Sequence, residues 1–276
     1  MKHNSITNNI ELNIVDKFNL EDTFNCGQCF RWKKTDDNSF EGVAFDKYLK
    51  ITKKTDKIIL MNTSKEDFEN VWKDYFDLSL NYNYVISELE KINDKMKKIC
   101  NYSPGIRILK QDPWEALCSF IISQNNNIPR IKGIINRLCE NFGYQISNGV
   151  YSFPKANELS TLNDSDLDIL KCGFRSKYIL DAAKKVSSGE INLNNIKKMK
   201  IDLARKELQK IKGVGPKVAE CTLLYGMYRL EAFPMDVWMK RAMEKIFSDM
   251  KAEDFGQYAG IAQQYIFNYI RTNFES

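Results

Sequence analysis

The hydrophobic period of this chain changes once, near Asn62, and that change limits the folds open to it. Before it, short apolar and polar residues alternate between turn formers. Phe30-Arg31-Trp32 leads to Asp36-Asp37-Asn38-Ser39, followed by Phe40 to Phe45, Tyr48 to Thr52 and Lys57 to Met61. Period two in runs of this length predicts an antiparallel meander with one covered face. After Ser64-Lys65-Glu66-Asp67, a helix start, Val85, Ile86, Leu89, Ile92 and Met96 recur at helical spacing. The remainder reads as helical, so the expected class is α+β. A β-rich domain with trailing helices spans 1–103 and an all-α domain spans 104–276. With 276 residues and 43% hydrophobic content, the chain can bury the cores this requires.

Within the helical part, Asp112-Pro113 is an N-cap followed by proline, opening a helix with Trp114, Leu117, Cys118 and Ile121 on one face. It stops at Asn125-Asn126-Asn127. A second helix runs from about Ile128, with Pro129 at an early position, to Gly143. Further helices are predicted at about Asp164 to Lys171, Ser176 to Val186, Lys198 to Ile211 and Pro216 to Tyr228. Asp236 caps another, reaching about Phe247, and the last spans about Phe255 to Arg271.

Gly213-Val214-Gly215 lies between two of these helices, so residues 203–228 or so form a helical hairpin. Glycine turns tightly without a Cβ penalty, and the amides opening the second helix suit a phosphate. Val214 can tuck between the helices; an ordinary helix-turn-helix corner has the same pattern. Lys217 sits in the first turn, where the helix dipole disfavours a cation. Facing solvent, it tolerates this cheaply. Facing an apolar pocket, it would lose basicity and become the neutral amine that a nucleophile requires. Asp236, 19 positions later, is either a helix N-cap or a working carboxylate. Spacing leaves both open.

Composition narrows the chemistry. His3 is the only histidine and lies in the terminus, so histidine bases and His-rich metal centres drop out. Any catalysis falls to Lys, Asp, Glu, Cys, Ser or Tyr. Seven scattered cysteines read as reduced thiols, and Cys26-x-x-Cys29 lacks a second ligand pair for zinc. The net charge of +5 permits a polyanionic partner without arguing for one. No apolar run is long enough for a membrane span, and MKHNSITNNI lacks a signal-peptide core, so a cytoplasmic protein is expected, nucleoid-associated if prokaryotic.

The blocks FNCGQCFRW, QDPWEALCSFIISQNNNIPRIKGIINRLCENFG, CGFRSKYI, IKGVGPKVAEC, FPMDVWM and YAGIAQQYIF extend over most of the chain. Together they resemble the 8-oxoguanine DNA glycosylases of the eukaryotic type, within the helix-hairpin-helix base-excision glycosylases. The resemblance implies a TATA-binding-protein-like sheet domain joined to the helical glycosylase domain. It implies excision of 8-oxoguanine, opposite cytosine, from double-stranded DNA, followed by strand nicking, by a monomer without a metal or organic cofactor. A monovalent cation bridging the hairpin carbonyls to a phosphate also follows from the family.

Carried over residue by residue, Lys217 is the nucleophile and Asp236 its carboxylate. Gly27 offers a carbonyl to the base, Phe267 and Cys221 sandwich it, and Gln263 bonds its Watson–Crick edge. Asn125, Arg130, Phe174 and Arg175 fill the vacated stack and read the opposite base, while Gly213, Val214 and Gly215 grip phosphate. By residue type alone, Phe267 is equally a core aromatic, Gln263 a solvated side chain and the arginines surface charges. The chain departs from the family at Phe174, usually a tyrosine, and at Trp238, usually a phosphate-binding histidine. The carboxylate partner of that histidine is replaced by Ile270. The four-cysteine iron–sulfur motif of the endonuclease III branch is missing, since no cysteine follows Cys221. A non-catalytic hairpin module would have no use for Lys217 and Asp236.

Overall fold

The computed structural model describes residues 8–13 and 17–274, so His3 lies outside the described residues. Five strands form one antiparallel sheet in the order β1-β5-β4-β3-β2: β1 (Asn8–Asn13), β2 (Trp32–Lys34), β3 (Phe40–Ala44), β4 (Lys47–Lys54) and β5 (Lys57–Thr63). The meander β2 to β5 agrees with the alternating pattern. β1 was not legible, because Ile10 and Leu12 are its only apolar residues, both partly buried at the sheet edge. The helix Leu20–Asn25 was likewise missed; its six residues, capped by Asn19, are too few to display a period.

One face of the sheet is covered by aromatic side chains. Trp32 stacks on Phe24 at 4.2 Å, packs edge-on against Trp72 and donates its indole N–H to the Tyr75 hydroxyl at 2.7 Å. Gly42 is the register partner of Trp32, and a Cβ on it would stand 2.4 Å from the indole. The missing side chain lets the indole lie against the strand.

The helical part follows the predicted order with local corrections, and it is not all-α: Gln145–Ser147 and Val150–Tyr151 form a short antiparallel pair after the Gly143 stop. Pro113–Ile122 is capped by Asp112, and Ile128–Phe142 is capped by Asn127 and closed by Gly143. Residues Asp164–Leu170 form a 3₁₀ helix that Lys171 ends with φ of 51°. Arg175–Ser187 follows. The first hairpin helix is only Ile201–Leu208, since the chain enters it extended at Lys200. The second, Pro216–Cys221, widens into a π-helical turn at Thr222–Gly226, where Gly226 lies close against Pro113 and Ala116. Val237–Lys245 is capped by Asp236. Gly256 takes φ of +67°, which interrupts the final segment and delays the last helix to Ala259–Phe274.

The sheet core and the helical core meet at the loop Cys26-Gly27-Gln28-Cys29. Cys29 is buried with the sheet aromatics, while Cys26 belongs to the helical core. Gln28 is fully buried and fully used. Its amide nitrogen donates to the carbonyls of Thr23 and Arg107 at 2.9 and 2.8 Å, and its oxygen accepts from the Leu109 N–H at 2.9 Å. Gln111 in turn donates to the Gln28 carbonyl at 2.6 Å. This bracket holds the loop to the strand-like segment 107–111. Arg31, farther along, pairs with the buried Glu115 at 3.4 Å on the Pro113–Ile122 helix.

Gln28→Leu keeps the side-chain volume but takes the acceptor from the buried Leu109 N–H and removes the amide bonds to the Thr23 and Arg107 carbonyls. A buried donor left without its acceptor costs about 1–3 kcal/mol. The expected result is a clearly lower urea midpoint with an unchanged slope; an unshifted midpoint would show that the bracket contributes nothing to stability.

Candidate active site

The hairpin turn brings its features together as its composition suggested. Gly213 takes φ of +81° and lies flat on the Tyr178 ring, which a Cβ would meet at 2.3 Å. Val214 is buried between the hairpin helices. Gly215 caps the second helix, and the space where its side chain would stand is open. Its amide face can therefore be approached closely by a large partner.

Lys217, at the second position of that helix, is half-buried. Its amine lies 3.3 Å from the Ser123 hydroxyl and 5.0 Å from the centre of the Phe120 ring. It thus points across to the end of the Pro113–Ile122 helix. Cys221, one turn on, is buried, and burial pushes its thiol up to about 11, with Lys217 lowering it and Asp236 raising it. Asp236 takes the N-cap position anticipated for it, its carboxylate accepting from the Met239 N–H at 2.8 Å. That bond occupies one oxygen.

The residues expected around a base come from three distant parts of the chain. Gly27 has φ of +80°, and a side chain on it would begin 3.5 Å from Phe267 and 3.8 Å from Ile128. Phe267 is partly buried on the last helix, not sealed in the core. Gln263, one turn earlier, is buried rather than solvated. Its amide donates to the Pro234 carbonyl at 3.3 Å, and its oxygen accepts from Tyr225 at 3.4 Å. Burial keeps the Tyr225 hydroxyl protonated, and it donates to Gln264 at 2.6 Å. Gln264 then donates to the Cys26 carbonyl at 3.2 Å.

Asn125 is exposed and left-handed, with φ of 46°. Its turn is shaped from within by Arg175, which is buried and donates to the carbonyls of Gln124, Asn125 and Cys172. Four of its five N–H groups are taken in this way, which leaves one on Nη1 for a base unless a bond is exchanged. Desolvation, then the neighbouring Arg130, lowers the Arg175 pKa. Arg130 is exposed, with a bond of 3.5 Å to the Lys171 carbonyl. Phe174 is 50% exposed, edge-on to Tyr178 at 5.7 Å and under the Arg175 guanidinium at 4.5 Å. Hairpin turn, Tyr178, Phe174, Arg175 and Asn125 therefore form one connected surface. Trp238 is half-buried, with Arg241 over its ring at 5.2 Å, and lines a small cavity of about 120 Å³ with Lys245, Ile246 and buried Ile270.

Sequence reading missed Ser123, Phe120 and Ile128. Ser123 ends the helix immediately before the asparagine block, a position that could have flagged it. Phe120 had no signal beyond helical spacing.

The family model for the 8-oxoguanine DNA glycosylase N-terminal domain matches residues 10–117, and that of the HhH-GPD superfamily of base excision DNA repair proteins matches residues 118–257. The chain is 37% identical over 187 residues to the N-glycosylase/DNA lyase of Saccharomyces cerevisiae, covering 62% of this chain and 49% of that protein, about half its length. It superposes on the structure of MBOgg1 in complex with a low-affinity DNA ligand with a TM-score of 0.91, at 42% identity over 96% of each chain. It superposes on the Clostridium acetobutylicum 8-oxoguanine glycosylase/lyase, in complex with double-stranded DNA containing cytosine opposite 8-oxoG, with a TM-score of 0.87, at 39% identity over 94% of each chain. Sheet, hairpin and loop geometry agree with these likenesses over nearly the whole length, and the chain belongs to the 8-oxoguanine DNA glycosylase family, within the HhH-GPD superfamily of base-excision repair proteins.

Proposed function

We propose that this protein is a bifunctional DNA glycosylase and lyase that excises 8-oxoguanine opposite cytosine from duplex DNA, acting as a monomer. The observation that carries the reading is the placement of the Lys217 amine. It is directed inward over Phe120 to Ser123, at the start of a helix whose preceding turn can face a phosphate.

A base inside a duplex presents neither its glycosidic bond nor its full edge, so it must leave the stack. Asn125 and Phe174, both exposed, fill the space it vacates, and Arg130 and Arg175 face the opposite base. The flipped base enters between Phe267 and Cys221, against the Gly27 carbonyl, with Gln263 at its Watson–Crick edge. The Gly27 carbonyl accepts the N7–H that 8-oxoguanine has and guanine lacks.

The Lys217 nitrogen, unprotonated, donates its lone pair to C1′. A C–N bond to lysine forms, the glycosidic C–N bond breaks, and the base departs with that electron pair and takes up a proton. Asp236 stabilises the positive charge that develops on the sugar. Loss of the amine proton and opening of the sugar ring give a Schiff base. Removal of a C2′ proton then expels the 3′ phosphate by β-elimination, nicking the strand. No step calls on a metal or organic cofactor.

Borohydride reduces such a Schiff base to a stable amine. With a duplex carrying 8-oxoguanine opposite cytosine, a covalent protein–DNA adduct is expected, and it should vanish in Lys217→Gln. An undiminished adduct in that variant would reassign the nucleophile. Asp236 is tested separately, because asparagine caps a helix about as well as aspartate. Asp236→Asn should retain thermal stability and DNA affinity while losing ~10²–10³-fold in single-turnover rate, the magnitude of removing one electrostatic stabiliser. A loss of stability or binding comparable with the loss of rate would make Asp236 a cap alone. Phe174→Tyr should sharpen discrimination among the bases opposite the lesion, measured as the ratio of excision rates; an unchanged ratio would show that the missing hydroxyl takes no part.

A further inference from the structure

Gln263 and Phe267 are four residues apart on the last helix, and the next residue on the same face is Arg271. Its guanidinium donates to the Asn25 carbonyl at 3.3 Å. The same nitrogen stands 3.9 Å from the position where a side chain on Gly27 would begin, beside the Phe267 ring and Ile128. Asn25 ends the Leu20–Asn25 helix, so its carbonyl has no partner farther along that helix. The next carbonyl, that of Cys26, is held by Gln264. Both carbonyls immediately before Gly27 are thus gripped by the last helix, one neutrally and one by a charged donor.

We propose that Arg271 is a positioning residue for the base slot. It ties the loop carrying Gly27 to the helix carrying Phe267 and so fixes where the Gly27 carbonyl stands relative to the Phe267 ring. The proposal rests on the reading of Phe267 as a wall of a base pocket and of the Gly27 carbonyl as the acceptor at its edge. The geometry explains the choice of residue. The donor must leave the last helix, pass the rim of the slot and reach a carbonyl of another element, which takes a long side chain. A charge-assisted bond at the rim also keeps strength where water has access. Gly27, with φ of +80°, supplies no side chain that could brace the loop, so the brace comes from outside.

A slot-positioning role and a general structural role predict different results on two substrates. A duplex with 8-oxoguanine opposite cytosine needs the slot; a duplex with a preformed abasic site presents no base and needs only the amine of Lys217. Full-length wild type, Arg271→Leu and Arg271→Lys are compared by single-turnover excision on the first and by borohydride trapping on the second. Arg271→Leu is expected to lower excision efficiency about tenfold or more, the loss of one hydrogen bond from a charged donor. The half-saturating concentration should rise more than the limiting rate falls, and trapping of the abasic duplex should stay within about twofold. Arg271→Lys, which retains a cation of nearly the same reach, should recover part of the loss. Equal losses on the two substrates would make Arg271 merely structural, and unchanged excision in Arg271→Leu would overturn the proposal outright. If the wild type traps the abasic duplex but leaves 8-oxoguanine untouched, the pocket reading falls and takes this proposal with it.

Discussion

One carboxylate, that of Glu220, holds the proposed nucleophile and the proposed carboxylate in a common frame. It lies on the second hairpin helix, one turn after Lys217, and is largely withdrawn from water. One oxygen accepts from Arg205 on the first hairpin helix, and the other accepts from the backbone N–H of Phe233 at 2.7 Å. Phe233 is three residues before Asp236. The side chain that closes the hairpin therefore also anchors the strand of chain leading to the next catalytic candidate. An ion pair on the surface contributes little to stability. This one is partly buried and has a backbone donor on its second oxygen, so its effect is on geometry: loosening it would free the hairpin and the Asp236 loop together.

The rest of the site is assembled by the same device, with buried polar groups reaching between segments far apart in sequence. Gln28 fixes the Gly27 loop to residues 107–111, Gln264 and Arg271 fix it to the last helix, and Arg175 fixes the Asn125 turn to the segment at Cys172. Apolar packing alone places elements within the tolerance of a core, where shapes of similar volume exchange at modest cost. A hydrogen bond with a satisfied partner specifies a backbone position more narrowly. Left-handed residues recur at these points, Gly27, Asn125 and Gly213 among them, each held by its surroundings. Of the three only Asn125 carries backbone strain, which persists where neighbours over-determine it.

How much of this was legible in the sequence depended on the range of the signal. The change of period near Asn62 placed the sheet before the helices, and caps such as Asp112 and Asp236 fixed helix starts to within a residue. The edge strand with only Ile10 and Leu12, and the six-residue helix at Leu20–Asn25, were too short to carry a pattern. Lys217 and Asp236 could be singled out by position, but their surroundings could not. Ser123 and Phe120 meet Lys217 from almost a hundred residues away, and only the folded chain brings them there. The family motifs named the base-pocket positions without saying that Gln263 and Arg175 are already committed to protein carbonyls. Single residues reveal chemistry; the competition for their hydrogen bonds is a property of the tertiary structure.

Trp238 and Ile270, where the family resemblance implies a histidine and a carboxylate, are subject to the same accounting. Here Ile270 is 3% exposed and shares a small cavity with Trp238. An aspartate at the position of Ile270 would lose solvation at a site only 3% exposed, a cost that Arg241 and Lys245, which line the same cavity, would have to offset. A histidine at Trp238 without its acid would lose the partner that orients its ring and holds its charge. What remains is an apolar floor with Arg241 stacked over the indole face, an arrangement in which the cation keeps its access to solvent and the aromatic ring supplies the favourable field. Under the proposed function, Arg241, one turn farther along the Asp236-capped helix, is the cation on this face that could meet a DNA phosphate.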